Sequence, residues 1–318
     1  MTMARIALTG ATGFVGGTVA SVLADQGHDV VCLVRRQPAT GFPWPALRVD
    51  MSDVGALSRA LDGADAVVHL AIMNGLTAMY ADRRAAHDGY VGLTRRIVDA
   101  ANATGVLVGY VSTDWVFDGT THLADETEPP NPVNLYGFLK AASEIVVLDR
   151  ARRGFVARVG GVQGIHQTNP LASRSQDIGF GYFSLAIVDA ISNGQRFCIW
   201  ADPDINTVAT PIVSAEIGAL LGRAIECNAQ GILHFAGGTP VNRRELALAT
   251  CRAFDLDSDY LDFGLAPETA RVRATVPFDT SLKGDSTMQV LGTTAHSIDE
   301  QLRALRTELV TGRPAPLS

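Results

Sequence analysis

The chain has 318 residues, 47% of them hydrophobic and 19% charged, with 26 basic against 33 acidic side chains and a formal net charge of −7. That length suits two lobes better than one simple core, and the composition is that of a packed protein rather than a disordered one. The acidic balance offers no general attraction to nucleic acid or to an anionic membrane, so neither is an expected partner.

The first half of the chain alternates strand and helix. Ile6–Leu8, Val30–Val34, Ala66–Leu70 and Leu107–Val111 are short β-branched runs without strict alternation, as strands buried on both faces require. Helix-like segments separate them at Phe14–Gln26, Val54–Leu61 and roughly Asp82–Ala103, and Gly27 stands where a left-handed helix stop belongs. This order predicts right-handed crossovers and a doubly wound parallel sheet, an α/β fold of Rossmann type. Pro38–Pro45 reads as a surface loop. Beyond Arg158 the rhythm changes. Gly160–Gly181 reads as a long irregular stretch, followed by helices near Tyr182–Ser192, Val213–Glu226, Arg243–Phe254 and Ser297–Leu309 and a strand near Arg196–Trp200. The expected division is a nucleotide-binding lobe over 1–160 and a smaller α/β substrate lobe over 161–318. The strand near Phe197, with a helix in the 195–235 region, is expected to rejoin the first sheet.

Between the first strand and the first helix, Thr9-Gly10-Ala11-Thr12-Gly13-Phe14-Val15-Gly16 fits TGxxGxxG. Gly10 permits a tight turn, Gly13 lets backbone approach a diphosphate, and Gly16 lets helix pack on strand. The bare helix start, with Thr12, Phe14 and Val15, then offers N–H donors to the anion. The second strand ends in Val34-Arg35-Arg36 with no acidic residue, so guanidinium groups stand where an acid would bind the ribose hydroxyls of NAD. NADP(H) is therefore the preferred cofactor, with NAD(H) as the alternative. Asp50 and Met51, after a third short strand, are candidates for the adenine edge, and Leu70 and Ala71, after the fourth, for the cofactor cleft.

Tyr136 and Lys140 stand at i and i+4, on one face of a helix. A free phenol, with a pKa of about 10, is a poor proton carrier at neutral pH, and a nearby ammonium is expected to lower that value. Ser112-Thr113 follows directly on the strand Leu107–Val111, which puts a hydroxyl at the carboxyl edge of the sheet, within reach of a substrate oxygen. Thr113, Tyr136 and Lys140, with Ser112 beside them, form the expected catalytic set.

Ser112-Thr113-Asp114-Trp115-Val116-Phe117-Asp118-Gly119, then Glu128-Pro129-Pro130-Asn131-Pro132, then Tyr136-Gly137, Lys140 and Glu144, resemble the signature of the dTDP-4-dehydrorhamnose reductase family of extended short-chain dehydrogenase/reductases. The resemblance runs from Ala4 to about Arg158, with echoes at Thr207–Ile212 and Pro277–Leu282. It implies NAD(P)H-dependent reduction of the 4-keto group of a nucleotide-linked deoxysugar. Tyr136 would then donate the proton, Thr113 or Ser112 orient the carbonyl, and Lys140 bind the nicotinamide ribose. By analogy with the family it also allows a homodimer. Related 4,6-dehydratases carry an Asp-Glu pair after the threonine; here Trp115 follows Asp114, which removes the base for dehydration, and Trp115 reads equally as a wall of the pocket or as a core aromatic. Gly89 stands where the family pattern has an asparagine, and Gly161–Tyr182 is longer and differently composed.

The same catalytic set would serve an epimerase or a reductase of a non-sugar ketone. A cofactor-binding regulatory subunit of another enzyme is the reading from outside catalysis, since a fold alone does not prove turnover. Cys32, Cys198, Cys227 and Cys251 stand singly and read as small buried hydrophobes in a reducing compartment. His28, His87, His122, His166, His234 and His296 lack ligand spacing, and no metal is expected. His69 reads as the end of a strand, with a place in the cofactor cleft as the alternative. With no cationic leader and no apolar run long enough for a bilayer, the expected location is the cytoplasm.

Overall fold

The computed structural model describes residues 3–38, 40–72, 75–169, 176–270 and 274–317. Ala39 of the expected loop Pro38–Pro45, and residues 170–175 of the irregular stretch, lie outside the described residues.

Seven strands form one sheet: β1 (Arg5–Thr9), β2 (Asp29–Val34), β3 (Ala46–Arg48), β4 (Ala66–His69), β5 (Leu107–Thr113), β6 (Gly154–Val159) and β7 (Gly231–Phe235). Their spatial order is β7-β6-β5-β4-β1-β2-β3, and every neighbouring pair is parallel. The helices are α1 (Phe14–Asp25), α2 (Val54–Leu61), α3 (Leu76–Ala81), α4 (Arg83–His87), α5 (Leu93–Thr104), α6 (Leu135–Arg150), α7 (Phe183–Ser192), α8 (Ser214–Glu226), α9 (Arg243–Phe254), α10 (Asp285–Leu291) and α11 (Ile298–Thr311). Among the described residues no helix is long and apolar enough to cross a membrane.

The strands read as continuous apolar runs because helices cover both faces of the sheet. Ile6 and Leu8 share a core with Val19 and Leu23 of α1 and Ile217 and Leu221 of α8. Ala7, between them, enters the opposite core with Leu57 and Leu61 of α2 and Ile97 and Val98 of α5. Each large aliphatic side chain buried in this way contributes about 1.5–3 kcal/mol. The chain winds outward from β1 in both directions, so a crevice opens at the carboxyl ends of β1 and β4.

Three expectations need correction. The strand near Arg196–Trp200 forms over Phe197–Trp200 but pairs in parallel with Leu261–Gly264, and the strand that rejoins the main sheet is β7, beside β6. Phe197 and Ile199 already have an apolar environment in a separate core with Phe183, Leu246 and Leu302 of α7, α9 and α11. The helix expected over Asp82–Ala103 starts at the Asp82 cap, where the carboxylate accepts the Ala85 amide at 2.9 Å. It is then interrupted by a π-helical turn, Asp88–Gly92, between α4 and α5. Cys32 and Cys251 are buried, whereas Cys198 and Cys227 are exposed: Cys198 alternates outward beside the buried Ile199, and Cys227 caps α8. Gly27 does adopt the left-handed conformation after α1, with φ +88°.

Candidate active site

A cleft of about 1530 Å3 runs along the carboxyl ends of the central strands. At one end lies the glycine turn. Gly10 holds φ +82°, and a Cβ there would lie 2.9 Å from the Ala71 nitrogen; a Cβ on Gly16 would overlap the Gly10 carbonyl. Both positions therefore require glycine, one for its dihedral and one for the approach of helix to turn. The N-cap of α1 is Gly13, with no side-chain cap and no acidic residue in the first turn, so the leading N–H groups keep their capacity for an anion. Gly10, Thr12, Gly13, Phe14, Val15, Gly16, Leu70 and Ala71 all line the cleft.

Arg35 and Arg36 line it too, exposed at the end of β2 and unpaired with any carboxylate among the described residues. Met51 lines the same end. Asp50 is not among the lining residues; its Oδ1 accepts the Ser52 amide at 2.9 Å and the Ser52 hydroxyl at 2.7 Å. The two guanidinium groups thus stand in the same cleft as an uncapped helix start.

At the other end stand Ser112, Thr113, Tyr136 and Lys140. β5 ends at Thr113. The buried Asn134 caps α6 by accepting the Gly137 amide at 2.9 Å, which sets Tyr136 and Lys140 in the first two turns. The hydroxyls of Ser112 and Thr113 diverge. Ser112 Oγ donates to Glu144, while Thr113 Oγ1 lies beside the Tyr136 phenol and donates to Asp114 Oδ1 at 3.0 Å. Trp115 packs edge-on against Tyr136, ring centroids 5.9 Å apart, and Tyr90 from the π-helical turn does so at 6.2 Å. Burial pushes the Tyr136 phenol up to about 12, opposed by Thr113 and reinforced by the charge of Asp114.

That direction is opposite to the one expected from Lys140. The lysine is buried, its Nζ donates to the Val111 carbonyl at 2.7 Å, and it lies 5.0 Å over the Tyr110 ring. Burial lowers its amine to about 7, against the upward pull of Glu144. Spacing places the two side chains on one face, but the hydrogen bond of Nζ goes to the sheet. Beneath the cleft, Glu144 is held by Arg158 at 2.8 Å, both fully buried, and Arg158 lies 5.0 Å over the Phe117 ring. Removing either partner would leave a buried unpaired charge, at a cost of about 3–5 kcal/mol.

Sequence reasoning did not select several lining residues. Asp114 is buried, with Oδ2 lacking a partner at hydrogen-bond distance, and burial raises its carboxyl to about 6. Its position next to Thr113 was the available signal. Tyr90 and Gly89 reach the cleft through the π-helical turn, a feature that periodicity cannot show. Asp177 and His166 come from the long irregular stretch, which gave no pattern, and Asn206 from the segment after Trp200. His69 is buried between Thr9 at 2.8 Å and Thr94 at 3.2 Å, with its imidazole lowered to about 3 by burial and Lys140, and supports the cleft from below. Among the described residues no group of metal-ligating side chains gathers.

The parallel sheet, the glycine turn and the Thr113–Tyr136–Lys140 constellation define an extended short-chain dehydrogenase/reductase, a class of NAD(P)-dependent oxidoreductases. Within that class the chain belongs to the family described as the RmlD substrate binding domain, which it matches over residues 3–310. It is 27% identical to methionine adenosyltransferase 2 subunit beta of Mus musculus, over 81% of this chain and 74% of that one. It is 26% identical to dTDP-4-dehydrorhamnose reductase of Mycolicibacterium smegmatis, over 80% and 71%. Its fold matches the structure of dTDP-4-dehydrorhamnose reductase from Bacillus anthracis in complex with NADP with a TM-score of 0.75, at 17% identity, covering 97% of this chain and 99% of that one.

Proposed function

We propose that the protein reduces a keto group with NADPH, the best-supported substrate being the 4-keto group of a nucleotide-linked deoxysugar, with Tyr136 as the proton donor. The observation that carries this reading is the convergence of Thr113 and Tyr136 on one wall of a cleft whose other end is an uncapped glycine turn. When bound, the nicotinamide supplies the hydride. The chain's own residues do the rest. A phenol held near 12 is protonated throughout the physiological range, the form a proton donor must take before reaction. Thr113 Oγ1 orients the substrate oxygen beside it. As the proton leaves Tyr136, the ammonium of Lys140, one helical turn away, opposes the charge left on the ring. Trp115 and Tyr90 flank the phenol and keep water from it.

In this account residues 1–160, completed by α8 and β7, hold the cofactor, and most of the remainder holds the substrate. Arg35 and Arg36 favour NADPH over NADH. The direct test is NADPH oxidation by the purified protein with dTDP-4-keto-6-deoxyglucose and its 3,5-epimerised form. Consumption of NADPH with formation of the reduced sugar supports the proposal; tight NADPH binding without turnover on either sugar contradicts it.

The 27% identity to a methionine adenosyltransferase subunit favours a second reading, a cofactor-binding subunit that regulates another enzyme. That reading expects stable co-purification with the partner enzyme and no ketone-dependent loss of NADPH.

A further inference from the structure

The described residues lining the cleft include four side chains able to carry positive charge: Arg35, Arg36, Lys140 and His166. The two arginines stand at the end of β2 and Lys140 is turned to the Val111 carbonyl, which leaves His166 as the one of the four beside the glycine turn. Its ring centroid lies 6.4 Å from that of Phe14, the first residue of α1. Phe14 in turn packs on Tyr182 at 4.5 Å, so three rings surround the start of this helix and only the imidazole among them can donate from a ring nitrogen.

The segment carrying His166 is fastened to the turn. Thr168 Oγ1 donates to the Thr12 carbonyl at 3.2 Å, Thr18 Oγ1 donates to the Ile165 carbonyl at 3.4 Å, and Gln167 Nε2 donates to Glu308 Oε1 at 2.8 Å. The ring is oriented as well. His166 Nδ1 accepts the Asn169 amide at 3.1 Å and lies 3.3 Å from the Thr168 hydroxyl. With Nδ1 engaged as acceptor, the proton of the neutral ring belongs on Nε2, at the opposite edge, and no described residue bonds Nε2.

We propose that His166 is a binding residue for the diphosphate of the dinucleotide, donating from Nε2 to a phosphate oxygen above the glycine turn. The inference rests on the dinucleotide reading of the cleft. A helix start carries the equivalent of only about half a positive charge, which leaves most of a diphosphate's charge unanswered. The leading N–H groups of α1 and the His166 donor then approach the anion from two sides, one from each lobe, and the fastened loop makes the donor part of the site before the ligand arrives.

The test uses the full chain and NADPH titrations of wild type, His166→Gln, His166→Asn and His166→Leu, with thermal melting as the check that each variant is folded. Glutamine places its amide nitrogen near Nε2 and asparagine near Nδ1. Affinity should fall about tenfold in the Leu and Asn variants, the size of one charge-assisted hydrogen bond, and stay within about threefold in the Gln variant. Adenosine 2′-monophosphate, which carries neither phosphate of the diphosphate bridge, should bind all four proteins alike. Wild-type affinity for NADPH in folded His166→Leu overturns the inference, as does a Gln variant as weak as Leu or an equal loss for the monophosphate. Failure of wild type to bind NADPH or NADH would instead overturn the dinucleotide reading itself.

Discussion

Lys140 stands one helical turn from Tyr136, and its ammonium hydrogen-bonds the Val111 carbonyl at the end of the neighbouring strand, 2.7 Å away. Burial lowers the amine to about 7. A base with a depressed value is protonated below it and neutral above it, so the cation that opposes charge on Tyr136 is lost as pH rises through about 7. kcat/KM, which reports groups of the free enzyme, should decline above that pH. Steady-state rates between pH 5.5 and 9 check this; a flat profile to pH 9 would show that the amine is charged throughout.

Asp114 carries the opposite kind of strain. Its folded value of about 6 lies above the ordinary 3.8, so the fold favours the protonated carboxyl. The cost of ionising it is absent below the unfolded value, grows between about 4 and 6, and is complete above 6. Asp114→Asn should therefore stabilise the protein at pH 7.5, by up to about 2–3 kcal/mol, and leave stability at pH 4 nearly unchanged. Thermal melting at both pH values decides it. Turnover should fall in the same variant if the partnerless Oδ2 takes a substrate hydroxyl.

Arg35→Ala with Arg36→Ala should weaken NADPH by about 100-fold while changing NADH by less than about threefold, since each charge-assisted contact to a phosphate is worth about 1.5–3 kcal/mol. Direct titration of both dinucleotides measures the ratio. An equal loss for the two would remove the ribose phosphate from the account.

The parallel sheet was legible because buried strands and the glycine turn carry short-range signatures: the apolar run before Gly10 and the TGxxGxxG spacing both act within a few residues. That Thr113, Tyr136 and Lys140 line one cleft was legible for the same reason, since Tyr136 and Lys140 lie one turn apart and Thr113 ends a strand. What escaped depends on contacts far apart in sequence. Nothing local distinguishes Phe197–Trp200 from a strand of the main sheet; its partner, Leu261–Gly264, lies more than sixty residues on. The protonation of Tyr136 and Lys140 is set by burial among Tyr90, Tyr110 and Trp115, from three separate elements, and not by their spacing. Asp50 resembles a cofactor contact in sequence, yet its carboxylate closes a turn with Ser52.

The role of Tyr136 is tested by comparing wild type with Tyr136→Phe for NADPH oxidation on dTDP-4-keto-6-deoxyglucose and its 3,5-epimerised form, alongside NADPH titrations of both proteins. With Tyr136 as proton donor, wild type turns over, the variant loses about 100-fold or more in kcat, and NADPH affinity stays within about threefold. Undiminished turnover in Tyr136→Phe would contradict the assignment of Tyr136 as proton donor.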